Sequence, residues 1–340
     1  MFNHIVVPLD GSERAEQALP IAARIASKGG GVVTLLRVVD VQEWYGPYFV
    51  PTGGGMMPSG GWTPSSGMNE GREVAEAYLK GMAASPTLLA VQTSVMVRDG
   101  AAAHVILEEI ELQHADLVVM GSHGRTGLSR WALGSVAEHV ARHATVPVLI
   151  LHENSSPLID LSQPLRMLVP LDGSARARAA LAPAIELLIS LRAPASAEMH
   201  LVMVVAPYVV EETDSSYTLM LEGARSYLTG VAEDVRQEAA GRIPLSVTWS
   251  VATDNDFADG IIQVAENRRS IEGAQSTEGP GSFDLIAMAT HGRTGIARWA
   301  LGSVGEHVFH GTRLPFLIVR PQEIAEQQRG FPAQTTATNA

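Results

Sequence analysis

Short apolar runs alternate with amphipathic stretches along the chain. In the first half, runs rich in valine, leucine and isoleucine predict strands at residues 4–9, 32–39, 91–97, 117–120 and 146–151. Helical spacing of apolar residues covers residues 12–28, 69–84, 101–113 and 135–144 between them. Strands this apolar suit a parallel sheet that is buried on both faces. The pattern therefore predicts an α/β fold with a doubly wound parallel sheet.

The second half of the chain repeats the first. Residues 118–140 align with residues 286–308 without gaps, and 16 of 23 positions are identical. The segment IVVPLDGS from Ile5 likewise aligns with MLVPLDGS from Met167. We therefore expect two tandem five-stranded domains, residues 1–152 and 164–320, with a linker over residues 153–163 and a disordered tail over residues 321–340. Two insertions, residues 46–67 and 268–282, are predicted to be irregular loops.

The best-matched part of the repeat is the loop after the fourth strand, with the helix that follows it. Loops diverge faster than cores, so this match indicates a restraint from a ligand or from a shared interface. The segments SVAE from Ser135 and SVGE from Ser303 have the form of a capping box, which marks a helix N-terminus. Gly134 leaves room for an anion, and Gly121 and Gly124 permit the positive φ of a tight turn. This corner is either a phosphate cradle or a capping box that only ends a loop.

Two residue types near this corner each have a structural and a functional interpretation. Asp10 and Asp172 follow the first strand of each half, where an aspartate either hydrogen-bonds the backbone of its turn or accepts from a ribose hydroxyl. Arg125 and Arg293 lie within the loop and either reach a phosphate or remain solvated. We recognise no spacing typical of a P-loop, a catalytic base or a metal centre, so neither a catalytic residue nor a metal ligand is predicted.

The composition narrows the class of partner. The formal net charge is −12, which disfavours binding to nucleic acid or to anionic lipid. The chain contains no cysteine, and no apolar stretch has the length and continuity of a membrane span or the flanks of a signal peptide. We therefore expect a cytoplasmic protein that has neither a nucleic-acid nor a membrane partner.

At these residues the chain resembles the universal stress protein family. The resemblance rests on the spacing Gly121-x2-Gly124-x9-Gly134-Ser135 together with Asp10 in the segment PLDGS, and it extends over both halves. It implies a Rossmann-like fold of the adenine nucleotide alpha hydrolase type, with strand order 3-2-1-4-5. It also implies ATP, ADP or AMP as ligand, accompanied by Mg²⁺, and pairing of the two halves through their last strands. The resemblance leaves both a monomer and a homodimer as alternatives.

The resemblance also assigns the site residues. Adenine is expected against the backbone near Val38, the ribose near Asp10, and the phosphates at the start of the helix after the loop. The first-half set is Pro8, Leu9, Asp10, Val38, Gly121, Gly124, Arg125, Gly134, Ser135 and Val136. The second-half set, by matching position, is Asp172, Val204, Ala289, Gly292, Arg293, Gly302, Ser303 and Val304.

One departure distinguishes the second site. Ala289 stands where the first half has Gly121. If the backbone there is left-handed, alanine costs about 1–2 kcal/mol, which is roughly a tenfold loss of affinity when it is taken wholly from binding. If the backbone is ordinary, the substitution costs almost nothing. We expect the first site to bind nucleotide more tightly.

The expected function is that of a stress-response protein that binds an adenine nucleotide as a switch, with slow or no hydrolysis. No general base and no cationic clamp for transferring phosphates is recognised. Two alternatives remain: an interaction or dimerisation module that works without nucleotide, and a weak ATPase or other nucleotide-dependent enzyme.

Overall fold

Strands and helices alternate in both halves of the computed structural model, which describes residues 1–39, 64–122, 134–152, 158, 162–207, 215–266, 283–289 and 302–321. The first half contains β1 (His4–Pro8), α1 (Glu13–Glu16), α2 (Ala18–Gly29), β2 (Val32–Val39), α3 (Pro64–Ala83), β3 (Gln92–Asp99), α4 (Ala102–Leu112), β4 (Leu117–Gly121), α5 (Ser135–His143) and β5 (Val148–Leu151). The second half contains β6 (Leu165–Pro170), α6 (Ala175–Arg178), α7 (Leu181–Arg192), β7 (Ala197–Val205), α8 (Ser215–Ala239), β8 (Leu245–Thr253), α9 (Phe257–Ala265), β9 (Leu285–Ala289), α10 (Gly302–Gly311) and β10 (Phe316–Val319).

The described strands form one ten-stranded sheet in the order β3-β2-β1-β4-β5-β10-β9-β6-β7-β8. Neighbouring strands are parallel within each half, so each half has the order 3-2-1-4-5, as predicted. The two halves meet where β10 pairs antiparallel with β5, with Leu317 opposite Leu149. The predicted pairing of the two halves through their last strands is therefore confirmed.

Two helical layers cover the sheet. Ile5 and Val7 of β1 point to the layer of α2, α3, α7 and α8, while Val6 points to the layer of α4, α5, α9 and α10. This alternation is the period of two that a strand imposes on its side chains. On the first face α2 packs against α7, so the apolar core on that face runs through both halves without interruption.

Two helix boundaries differ from the sequence-based expectation. The helix predicted over residues 12–28 is split into α1 and α2 at Gln17, and Ser12 caps the first of them. Helix α3 begins at Pro64, so the last four residues of the predicted irregular loop are helical; proline suits a first helical position because the N–H it lacks has no partner there. Residues 46–63, 268–282 and 322–340 lie outside the described residues. Among the helices that the structure describes, none is both long and apolar enough to cross a bilayer.

Candidate functional site

The turn after the first strand closes in the same way in both halves. Asp10 Oδ1 accepts hydrogen bonds from the N–H of Ser12 at 3.0 Å and from its hydroxyl at 2.6 Å. Asp172 Oδ1 accepts from the N–H of Ser174 at 2.9 Å. Each serine then caps the short helix that follows it. Of the two interpretations of these aspartates, the turn contact is observed, and contact with a ribose stays a prediction.

Arg37 on β2 lies beside the turn of the first half. Its Nη1 donates to Leu9 O at 3.3 Å, and a Cβ added to Gly11 would lie 3.5 Å from the same nitrogen. The equivalent position of the second half is Met203, whose Cε would lie 3.9 Å from a Cβ on Gly173. Arg37 is missing from the predicted site, although a charged residue inside an apolar strand was a signal that could have found it. The first turn therefore has a guanidinium beside it where the second has a thioether.

The chain leaves β4 and enters α5 at adjacent points. The N–H of Ser122 donates to Leu151 O at 2.8 Å, which extends the pairing of β4 with β5. The N–H of Gly134 donates to Ser122 O at 2.8 Å. The loop between them contains the predicted site residues Gly124 and Arg125, which lie outside the described residues. The N-terminus of α5 therefore lies at the carboxyl end of β4.

Helix α5 starts at a glycine, which has no side chain with which to cap it. Gly134 occupies the N-cap position with φ −62° and ψ 142°. Ser135 is the first helical residue, and Glu138 forms an ion pair with Arg142 one turn later. The helix start is confirmed, but the capping box is wrong, because a capping box needs the serine itself at the N-cap. The first-turn N–H groups, with their partial positive charge, therefore have no cap from the N-cap residue.

The glycines predicted to shape the two sites differ in backbone conformation. Gly121 ends β4, pairs with β5 and has no positive φ, so the prediction that it supplies a left-handed turn is wrong. Ala289 likewise ends β9 and pairs with β10. An extended backbone accepts alanine at no cost, which removes the basis for ranking the first site above the second. Gly302 has φ 70°, whereas its counterpart Gly134 is extended.

The side chains beside α5 and α10 differ in charge between the halves. In the first half, the ring centroids of His139 and His143 are 4.2 Å apart in a stack, and His104 lies 5.0 Å from His139. Burial, followed by the neighbouring imidazoles, lowers the pKa of His139. In the second half, the equivalent His307 lies 3.5 Å from a carboxylate oxygen of Asp259. The two helices share five of nine residues over 135–143 and 303–311, yet the shared histidine faces other histidines in one half and carboxylates in the other.

The remaining predicted residues lie along the same edge of the sheet. They end β1, lie near the carboxyl ends of β2 and β7, or belong to the first turns of α5 and α10. In chain order these residues are Pro8, Leu9, Val38, Val136, Val204, Ser303 and Val304. Gly292 and Arg293 fall outside the described residues. Because β1 lies between β2 and β4 in a parallel sheet, their carboxyl ends and the start of α5 share one edge.

Comparison with known proteins points to one family. A family model described as the universal stress protein family matches residues 1–152 and 277–320. A universal stress protein of Methanocaldococcus jannaschii is 35% identical over 153 residues, which cover 44% of this chain and 82% of that protein. A universal stress protein of Mycobacterium tuberculosis is 24% identical over 319 residues, which cover 93% of this chain and 96% of that protein.

A solved structure shows the same fold over both halves. The crystal structure of a universal stress protein from Archaeoglobus fulgidus matches with a TM-score of 0.60 at 20% identity, and covers 94% of this chain and 97% of that chain. The family model itself matches more than half of the sequence, with segments in both halves. This chain therefore belongs to the universal stress protein family.

Proposed function

We propose that the protein binds an adenine nucleotide at the carboxyl edge of its sheet, one site in each half, and works as a stress-response switch. The observation that carries this proposal is the start of α5. Gly134 places a helix N-terminus, whose N-cap residue has no side chain, against the end of β4. An anion at this position accepts hydrogen bonds from the first-turn N–H groups. It also lies at the positive end of the helix dipole, and both interactions stabilise it.

The rest of the edge suits a nucleotide. The Asp10 turn lies at the end of β1, and Val38 lies near the end of the neighbouring strand β2. In a doubly wound sheet the crevice for a ligand lies at the carboxyl ends of the strands where the strand order reverses, between β1 and β4 here. A phosphate at α5 and a nucleoside towards β2 would span this crevice.

We propose binding with slow or no hydrolysis. Rapid phosphoryl transfer needs a group that positions the attacking water and cations that neutralise the charge in the transition state. At the edge of the first half, Asp10 uses Oδ1 in its own turn, and Arg37 donates to the backbone of the same turn. Nucleotide binding would instead act as a switch by changing the surface that a partner meets.

The test is titration of the full chain with ATP, ADP and AMP by calorimetry, in wild type and in variants at Gly134. Gly134→Asp places a carboxylate at an N-cap with extended φ and ψ, where it accepts the first-turn N–H groups itself and repels phosphate. We expect the wild type to bind two nucleotides per chain. In this variant one site should weaken about tenfold or more, which corresponds to about 1.4 kcal/mol.

Two controls separate loss of the anion site from loss of the fold. Gly134→Asp should melt at the same temperature as wild type or higher, because an aspartate cap stabilises a helix slightly more than glycine does. Gly134→Ala adds a methyl group without a cap or a charge and should bind nucleotide far better than Gly134→Asp. If wild type binds none of the three nucleotides and releases none on denaturation, a nucleotide-independent interaction module is favoured instead.

A further inference from the structure

Three metal-ligating side chains converge between α9 and α10 in the second half. Asp256 Oδ1 lies 3.9 Å from Nδ1 of His307, and Asp259 Oδ1 lies 3.5 Å from Nε2 of the same ring. One ligand atom from each of the three residues lies within 4.8 Å of the other two. We propose that these residues bind one divalent metal ion, and that the first half has no equivalent site.

The two helices hold these donors in place. Asp256 caps α9 by accepting the N–H groups of Ala258 at 2.8 Å and Asp259 at 3.1 Å, both through Oδ1. A carboxylate has further acceptor positions on its second oxygen, so this cap is compatible with coordination of a metal. Helices α9 and α10 pack on each other, and their buried residues Ile261 and Val308 belong to the same apolar cluster. The donors are therefore attached to packed helices rather than to a loop.

The charge around the cluster favours a cation. Asp254 adds a third carboxylate, whose Oδ1 accepts the N–H of Asp256 at 3.1 Å. His307 follows Ser303 by four residues, so the cluster lies about one helical turn, roughly 5–6 Å along α10, from the predicted phosphate position. Carboxylates so close to an anion site would weaken it by repulsion, and a bound cation would reverse that effect.

The repeat provides an internal comparison. The positions equivalent to Asp256, Asp259 and His307 are Ala101, His104 and His139. The first half therefore offers no carboxylate at any of the three positions, and its histidine rings stack on one another. A site built from two carboxylates and an imidazole exists in the second half alone among the described residues.

The donor set indicates the class of ion. Carboxylates favour Mg²⁺, Ca²⁺ and Mn²⁺, while an imidazole favours first-row transition metals, so Mn²⁺ fits the mixed set. The three side chains are each about half exposed, at 51–54%, which leaves positions for water ligands. We therefore use Mn²⁺ as the probe. The site does not depend on the nucleotide proposal, since the experiment contains no nucleotide.

The test follows the electron paramagnetic resonance signal of free Mn²⁺ during titration into the full chain without a histidine tag. We expect one Mn²⁺ per chain. His307→Gln and Asp259→Asn should each weaken binding about tenfold or more. Asp256→Asn should also weaken it while it preserves the helix, because asparagine caps as well as aspartate. The matched control is His139→Gln, the equivalent change in the first half, which should leave Mn²⁺ binding unchanged.

Two results would overturn the proposal. One is a wild-type protein that binds no Mn²⁺, in which case the three side chains only lie close together. The other is a bound Mn²⁺ whose affinity is unaffected by both His307→Gln and Asp259→Asn in folded protein, which would place the ion elsewhere.

Discussion

Acidification should destabilise the second half through one buried histidine. His200 on β7 is 3% exposed, and its two ring nitrogens lie 2.8 Å from the hydroxyl oxygens of Thr248 and Ser250 on β8. Burial, and then the positive charge of Arg166, lowers the pKa of His200 from 6.5 to about 4. The folded protein therefore holds a neutral imidazole at pH 7 and resists its protonation.

The sign and size of the effect follow from this difference in pKa. Between pH 6.5 and 4 the unfolded chain binds a proton at His200 that the folded chain does not bind, so stability falls as the pH falls. The contribution is fully present above about pH 6.5. It drops by about 2 kcal/mol at pH 5 and by about 3 kcal/mol below pH 4.

The assay is urea unfolding followed by circular dichroism at pH 7.5 and at pH 5, in wild type and in His200→Gln. Glutamine does not titrate, and its amide can donate to one hydroxyl and accept from the other. Between the two pH values the free energy of unfolding of wild type should fall by about 2 kcal/mol more than that of the variant. Other histidines contribute equally to both proteins and cancel in the comparison. An identical loss in the two proteins would refute the reasoning.

Two further predictions use pairs of residues within the chain. Gly260→Ala should lower the free energy of unfolding by about 1–3 kcal/mol and weaken the second nucleotide site, because the added Cβ would lie 2.7 Å from Cγ1 of Val204. Gly230→Ala, whose added Cβ would have nothing within 4 Å, should be neutral or stabilising; thermal melts of both variants check this. Tyr227→Phe should be neutral or stabilising because its buried hydroxyl has no hydrogen-bond partner among the described residues, whereas Tyr78→Phe should lower the free energy of unfolding by about 1 kcal/mol because that hydroxyl donates to a carboxylate at 2.9 Å. Equal losses for the two variants in urea unfolding would contradict this.

The sheet could be predicted closely from the sequence. Strand β2 was expected at residues 32–39 and runs from Val32 to Val39, and β4 was expected at residues 117–120 and ends one residue later. Strands buried on both faces carry an uninterrupted apolar run, which is a local property of the chain. The repeat then predicted that the second half has the same strand order, and the sheet confirms it.

The candidate site was predicted in outline but not in its contacts. The start of α5 at Gly134 and Ser135 was correct, because a glycine and a serine before an apolar stripe mark a helix start. The predicted capping box was wrong, because the side chain of Glu138 pairs with Arg142 on the next turn instead of returning to the N-cap. Arg37 was missed because its contact with the turn joins residues far apart in sequence.

The sequence by itself determined the duplicated α/β architecture and the place where a helix begins after the fourth strand, since these follow from periodicity and composition along the chain. The strand order was implied by the family resemblance and not by the pattern of residues. Only the tertiary structure decided that Gly121 is extended while Gly302 is left-handed, and that His139 meets His104 while His307 meets Asp256 and Asp259. Within the helices themselves, Gly311 of α10 stands in place of His143 of α5, which the sequence shows directly. The tertiary part of the difference is that α5 and α10 pack against α4 and α9, where Asp259 stands in place of His104 and Asp256 in place of Ala101. Packing brings those distant residues together, and it is their charges that distinguish the two halves.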